Sequence, residues 1–186
     1  MDNVVVRDVP IFISDRYNLD YHQKAFLHLC ELLDGYVSKI IISFLDEYKN
    51  VKNNYKVLKY KKIIDEDYKE IGISFSKSAS IHNMTVQTCF EDKNLTEYGF
   101  IKDECISSSL AYIMTGKKYP LWKARKELLC SCVSMVDIGV YNSCKHFCKY
   151  CYANYDETIV NDNCLNHDVN FSLIIGKISD DDIIKI

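Results

Sequence analysis

The sequence predicts an α/β protein built on a parallel sheet, with a cysteine-rich segment after it. Three observations lead there. β-Branched runs alternate with amphipathic stretches in the order strand, helix, strand, loop, helix, strand, the signature of βαβ units. There are too few such units for a closed eight-stranded barrel. Seven of the nine cysteines fall between positions 89 and 151, so the C-terminal part is organised by sulfur rather than by a conventional core. The chain therefore divides into residues 1–129, carrying the β/α units, and residues 130–186, a cysteine loop and tail.

The elements follow in order. Val4-Val5-Val6-Arg7 with Pro10-Ile11-Phe12-Ile13 reads as a short buried strand and its exit loop. Asp20 is suited to cap a helix whose Phe26, Leu29, Cys30 and Leu33 share a face, and Gly35 stops it. Lys39-Ile40-Ile41-Ile42-Ser43-Phe44 is a strand buried on both faces. Residues 46–62 have no clean period and read as a loop with at most a helical turn. Asp65 can cap a second helix in which Tyr68, Ile71, Phe75 and Ala79 repeat at helical spacing, with Gly72 as a weakness. Met84–Thr88 is a further strand, Glu104–Met114 a helix stopped by Gly116, and residues 156–186 an irregular tail.

Composition narrows the function classes. In 186 residues, 48% hydrophobic and 12% aromatic, there is room for one domain with a real core. Charges are interleaved and sum to −3, which leaves no electrostatic footprint for nucleic acid or an anionic membrane. The N-terminus lacks the charged and apolar regions of a secretion signal. The longest apolar run, Leu110–Met114, is far short of the about 18 residues a membrane span needs. A cytoplasmic location is the expectation.

Cysteines in such a compartment are more often metal ligands or redox groups than disulfides. The segment Cys144-x3-Cys148-x2-Cys151 places three thiolates on one tight loop, with the aromatic Tyr150 just before the third. Three thiolates bind three irons of a [4Fe–4S] cube and leave the fourth open. An open iron can chelate the amino and carboxylate groups of S-adenosylmethionine. Structural zinc also uses short-spaced cysteines, but it wants a fourth ligand. His146 inside the loop is awkwardly placed to supply one. Cys89, Cys105, Cys130 and Cys132 form a second set, able to hold another cluster or a zinc; the alternative is that two or more are buried apolar thiols. Cys30 reads as core, and Cys164 has no partner at a telling spacing.

Other candidates are weaker. His22 reads as a solvated first-turn residue. Glu91 follows a strand end and could serve as a site carboxylate. Asp46 and Tyr48 sit after the Ile-rich strand. Asp137-Ile138-Gly139 reads as the turn entering the cysteine loop. The chain carries no P-loop, G-x-G-x-x-G, G-x-S-x-G or H-E-x-x-H motif.

Asp137-Ile138-Gly139, Tyr141-Asn142 and Cys144-x3-Cys148-x2-Cys151-Tyr152-Ala153-Asn154 resemble the C-terminal signature of the bacterial family known as domain of unknown function 1848. Arg7 to Ile11, Asp20-Tyr21-His22-x-Lys24-x-Phe26, Ile42-Ser43-Phe44-x-Asp46-x-Tyr48, Thr88-Cys89-x-Glu91, Tyr98-Gly99, Cys105-Ile106 and Cys130-x-Cys132 are similar to further stretches of it. The resemblance runs over nearly the whole chain. It implies an incomplete TIM-barrel-like arrangement of parallel β/α units, ending in a cluster loop similar to that of radical S-adenosylmethionine enzymes. It also implies Tyr150 and Asn154 as cofactor contacts and a small-molecule substrate that it does not identify. Family members begin with further strands and an Arg-rich segment. The expectation is thus a truncated or split member, with a second chain supplying the missing half.

Overall fold

The computed structural model describes residues 4–88, 91–122, 132–178 and Asp181. The chain forms two compact units: Met1–Asp46 with Lys59–Met135, and Glu47–Leu58 with Val136–Ile186.

The first unit holds a four-stranded, all-parallel sheet in the sequential order β1-β2-β3-β4. Its strands are β1 (Val5–Ile11), β2 (Lys39–Phe44), β3 (Thr85–Thr88) and β4 (Ile101–Lys102). Helix α1 (Leu19–Leu33) connects β1 to β2. Helix α4 (Asp65–Ile81) precedes β3, and α5 (Ser108–Thr115) follows β4. β2 is central and buried along most of its length, as its unbroken Ile run predicts. β1 departs from expectation. It runs on through Pro10 to Ile11 and alternates exposed with half-buried residues, because it lies at the sheet's edge. An edge strand tolerates a proline, and the register shifts between Asp8 and Ile11.

The helix starts also differ in detail. Asn18, not Asp20, caps α1: its side chain accepts the Tyr21 N–H at 2.9 Å, leaving Asp20 in the first turn beside the helix dipole. In α4, Asp65 is the first helical residue, and the Asp67 carboxylate reaches back to the Ile64 N–H at 3.0 Å. The apolar stripes of the two helices meet on one sheet face, where Phe26 and Phe75 stack with centroids 3.8 Å apart. Gly72 is part of that packing. A Cβ there would sit 2.7 Å from Cβ of Tyr98, so the glycine permits a close approach instead of weakening the helix.

β4 escapes a periodicity search because it has two residues. Phe100, 4% exposed, anchors it, and its pairing with β3 defines it.

The second unit contains α2 (Lys49–Asn53), α3 (Tyr55–Leu58) and α6 (Glu157–Leu165) around the segment 136–156. The tail expected to be irregular is therefore helical over nine residues. Asp156 caps this helix by accepting from Thr158 N and Ile159 N, and the helix's own Val160 is fully buried. Among the described residues, no helix is long and apolar enough to cross a membrane.

Candidate metal centre

The cysteine loop is assembled from asparagine side chains. Asn142, 2% exposed, sits at its entrance in a left-handed conformation with φ +53°. Asparagine reaches that region more cheaply than most residues because its short amide bonds locally. Its own N–H donates to Ala153 O at 2.9 Å, closing the base of the loop. Its Oδ1 accepts the N–H groups of Tyr155 at 2.9 Å and Asp156 at 3.2 Å, while its carbonyl accepts from Asn163 Nδ2 at 3.0 Å. Four hydrogen bonds thus converge on one buried residue.

Asn154 clasps the loop internally, its Nδ2 donating to the carbonyl of Cys144. Between these points the chain turns twice. Phe147 takes φ +51°, and Cys151 N donates to Cys148 O at 3.0 Å. From the other segment of the same unit, Asn50 donates to Cys151 O, and Asn54 donates to Lys149 O at 2.9 Å. The sequence reads residues 46–62 as a loop with at most a helical turn; the structure forms two short helices there, α2 and α3, and Asn50 and Asn54 brace the cysteine loop from outside. A cleft of about 240 Å³ beside it is bounded by Asn50, Asn54, Phe147, Cys148 and Asn154.

Cys144, Cys148 and Cys151 are all free thiols, the first exposed and the other two half-buried. As donors they suit an iron–sulfur cluster or zinc, both of which take thiolate. Among the described residues, no three His, Cys, Asp or Glu side chains are already drawn together as a metal-holding group. The three thiols stand on a pinned base without being gathered into one group. Tyr150 is 38% exposed beside them. Asn154, implied as a cofactor contact, spends its amide on the Cys144 carbonyl.

The second cysteine set is divided. Cys89 and Cys130 lie outside the described residues. Cys105 is disulfide-bonded, so reduction must precede any role as a ligand. Cys132 is 4% exposed, next to an isolated bridge between Leu121 and Val133; its sulfur accepts from Ile106 N at 3.5 Å. Ile106 follows Cys105 directly, so Cys105 and Cys132 belong to one neighbourhood. Cys30 is fully buried on α1, and burial pushes its thiol up to about 11, as suits a core residue.

Carboxylates gather where the strands end. Glu91 Oε1 accepts the Phe44 N–H at 2.8 Å, at the C-terminal end of β2. Burial drives its pKa up to about 7 against that hydrogen bond, with Asp46 and Asp92 adding repulsion. Asp8 on β1 is also raised by burial, which outweighs the attraction of His22. His22 is half-buried and bonded through Nε2 to Phe12 O at 2.9 Å, not freely solvated. Loops after parallel strands are where α/β proteins present reactive groups, and a carboxyl titrating near neutrality suits proton transfer.

No curated protein and no solved structure matches the chain. The family description that does match, over residues 1–153, is Domain of unknown function (DUF1848). That span includes the sheet, Glu91 and all three loop cysteines. The chain belongs to the DUF1848 family.

Proposed function

We propose that this chain binds a metal centre through Cys144, Cys148 and Cys151, and that the centre is a [4Fe–4S] cluster. The observation that carries the reading is that three free, solvent-reachable thiols lie within eight residues of one loop whose base is locked by Asn142. A folded loop with so many backbone groups satisfied does not need exposed cysteines for its own stability. Their chemistry is left for a ligand. When bound, such a cluster supplies one-electron chemistry. If its fourth iron stays open, it also offers a position for S-adenosylmethionine, the basis of a resemblance to radical enzymes.

In that reading the sequential parallel strands form part of a TIM-barrel-like arrangement, and Glu91 is the proton-handling group nearest the strand ends. The substrate is a small molecule of unassigned class. Cys89, Cys105, Cys130 and Cys132 are the candidate ligands of a second centre. The competing reading is a structural zinc on the same thiols, favoured by the wholly thiolate donor set.

The test is metal analysis of protein purified without oxygen, followed by anaerobic reconstitution with ferrous iron and sulfide. The reading expects a brown protein with iron and sulfide in equal amounts and a visible thiolate-to-iron absorption band. A colourless protein that retains zinc and refuses iron overturns it.

A further inference from the structure

The second unit contains four cysteines, not three. Besides the loop's, its two segments carry Cys164 alone. Cys164 lies beyond the family-matched span, near the C-terminal end of α6. Its spacing from Cys151 forms no recognisable motif, yet the fold returns it to the loop. The Cys164 thiol points at the carbonyl of Ser143, with sulfur and oxygen 3.7 Å apart, one residue before Cys144. Its neighbour Asn163 bonds the carbonyl of Asn142 at 3.0 Å. Two successive side chains of α6 therefore rest on two successive carbonyls at the loop entrance.

The helix is held in that position at its other end as well. Asp156 caps it, and the Asp156 N–H donates to Asn142 Oδ1 at 3.2 Å. Val160 buries the helix's inner face. Asn142 is thus the shared anchor of the cysteine loop and of the helix carrying Cys164. A thiol-to-carbonyl contact is weak, and ligation would replace it at little cost once the thiol gives up its proton. Cys164 is a free, half-buried thiol set against the residue that precedes Cys144.

We propose that Cys164 is the fourth thiolate ligand of the centre held by Cys144, Cys148 and Cys151. This rests on the metal-centre reading above and adds a consequence to it. Four thiolates occupy every iron of a [4Fe–4S] cube, so no position remains for S-adenosylmethionine. The centre is then closed, fit for electron transfer or structural support.

The experiment uses the full chain, purified anaerobically, as wild type and as Cys144→Ala, Cys148→Ala, Cys151→Ala, Cys164→Ala and the control Cys30→Ala, whose thiol is buried in the core of the first unit. Each is reconstituted with iron and sulfide, reduced, and examined by EPR with and without S-adenosylmethionine. Wild type and C30A should give the same signal, unmoved by S-adenosylmethionine. C144A, C148A and C151A should lose most of their iron. C164A should keep a cluster whose signal now shifts when S-adenosylmethionine is added. The proposal is overturned if the wild-type signal already shifts, or if C164A matches wild type in both conditions.

Should wild type take up no iron, Co²⁺ titration separates the two failures. A thiolate charge-transfer band that weakens in C164A, with affinity reduced by at least about tenfold, retains the four-thiol site while the iron reading falls. An unchanged C164A titration, or no Co²⁺ uptake by wild type, overturns the four-thiol site.

Discussion

The side-chain amide of Asn154 donates to the backbone carbonyl of Cys144, so the residue three places after the last loop cysteine holds the first one. This clasp fixes the loop's span independently of its sulfur atoms. Asn154→Ala should lower iron retention after reconstitution by about tenfold, the scale seen when an outer-shell partner of a metal ligand is lost. The first unit's thermal transition should remain where it is. Iron analysis after desalting, alongside a melting curve, checks both statements.

Asn142 should matter for stability more than for chemistry. Asn142→Ala leaves the N–H groups of Tyr155 and Asp156 without their acceptor and forces alanine into a left-handed conformation. The expected cost is about 2–4 kcal/mol, read by urea denaturation. Asn142→Gly relieves the backbone but not the lost acceptor, and should recover roughly a third of that loss. Asn142→Asp keeps the acceptor and should be the mildest of the three.

Gly72→Ala should destabilise the first unit by about 2 kcal/mol, although alanine is the better helix former by about 1 kcal/mol. The clash is with Cβ of Tyr98 at 2.7 Å and with its ring atoms Cδ2 at 2.9 Å and Cγ at 3.0 Å, so Tyr98→Ala removes only part of it. Tyr98→Gly removes all of it. A double-mutant cycle between G72A and Y98G should show a coupling of about 1 kcal/mol or more, and one with Y98A a smaller coupling, since the Cβ contact persists.

The buried carboxyl of Glu91 makes a pH prediction. Folded, it ionises at about 7; its ordinary value is 4.5. Between those values the folded state holds the proton more tightly than the unfolded chain does. Its contribution to stability is thus complete below about pH 4.5 and is lost as pH rises through 7. Denaturation midpoints of the wild type should fall from pH 5 to pH 8 by an amount equivalent to about 2 kcal/mol, partial exposure reducing the full linkage value. Glu91→Gln should flatten most of that slope. Asp8, raised by burial in the same sense, accounts for part of what remains.

The sheet was legible because its signals are local. The Ile40–Ile42 run needs no partner to read as a buried strand, and Phe26, Cys30, Ile71, Phe75 and Ala79 repeat at the spacing of a helix face. What stayed hidden depends on contacts distant in sequence. Ile101–Lys102 is a strand only because β3 recruits it. Gly72 looks like a flaw until Tyr98 is placed against it. The helix Glu157–Leu165 has too few apolar residues to announce itself and depends on its Asp156 cap. In the site, the three cysteines declare themselves by spacing. The asparagines that shape their loop do not, since an isolated asparagine in a sequence reads as a solvated polar residue, and Cys164 lies thirteen residues beyond Cys151.

The braces on the cysteine loop come from Asn50, Asn54, Asn142, Asn154 and Asn163, and every one is an uncharged amide. Salt can shield the exposed Lys149–Glu157 pair, 3.4 Å apart, but these five amides carry no charge to screen, and acidification finds nothing in them to protonate. The scaffold should therefore keep its shape across conditions that alter the sulfur atoms, so that oxidants and metal supply govern what the loop carries while its architecture stays constant.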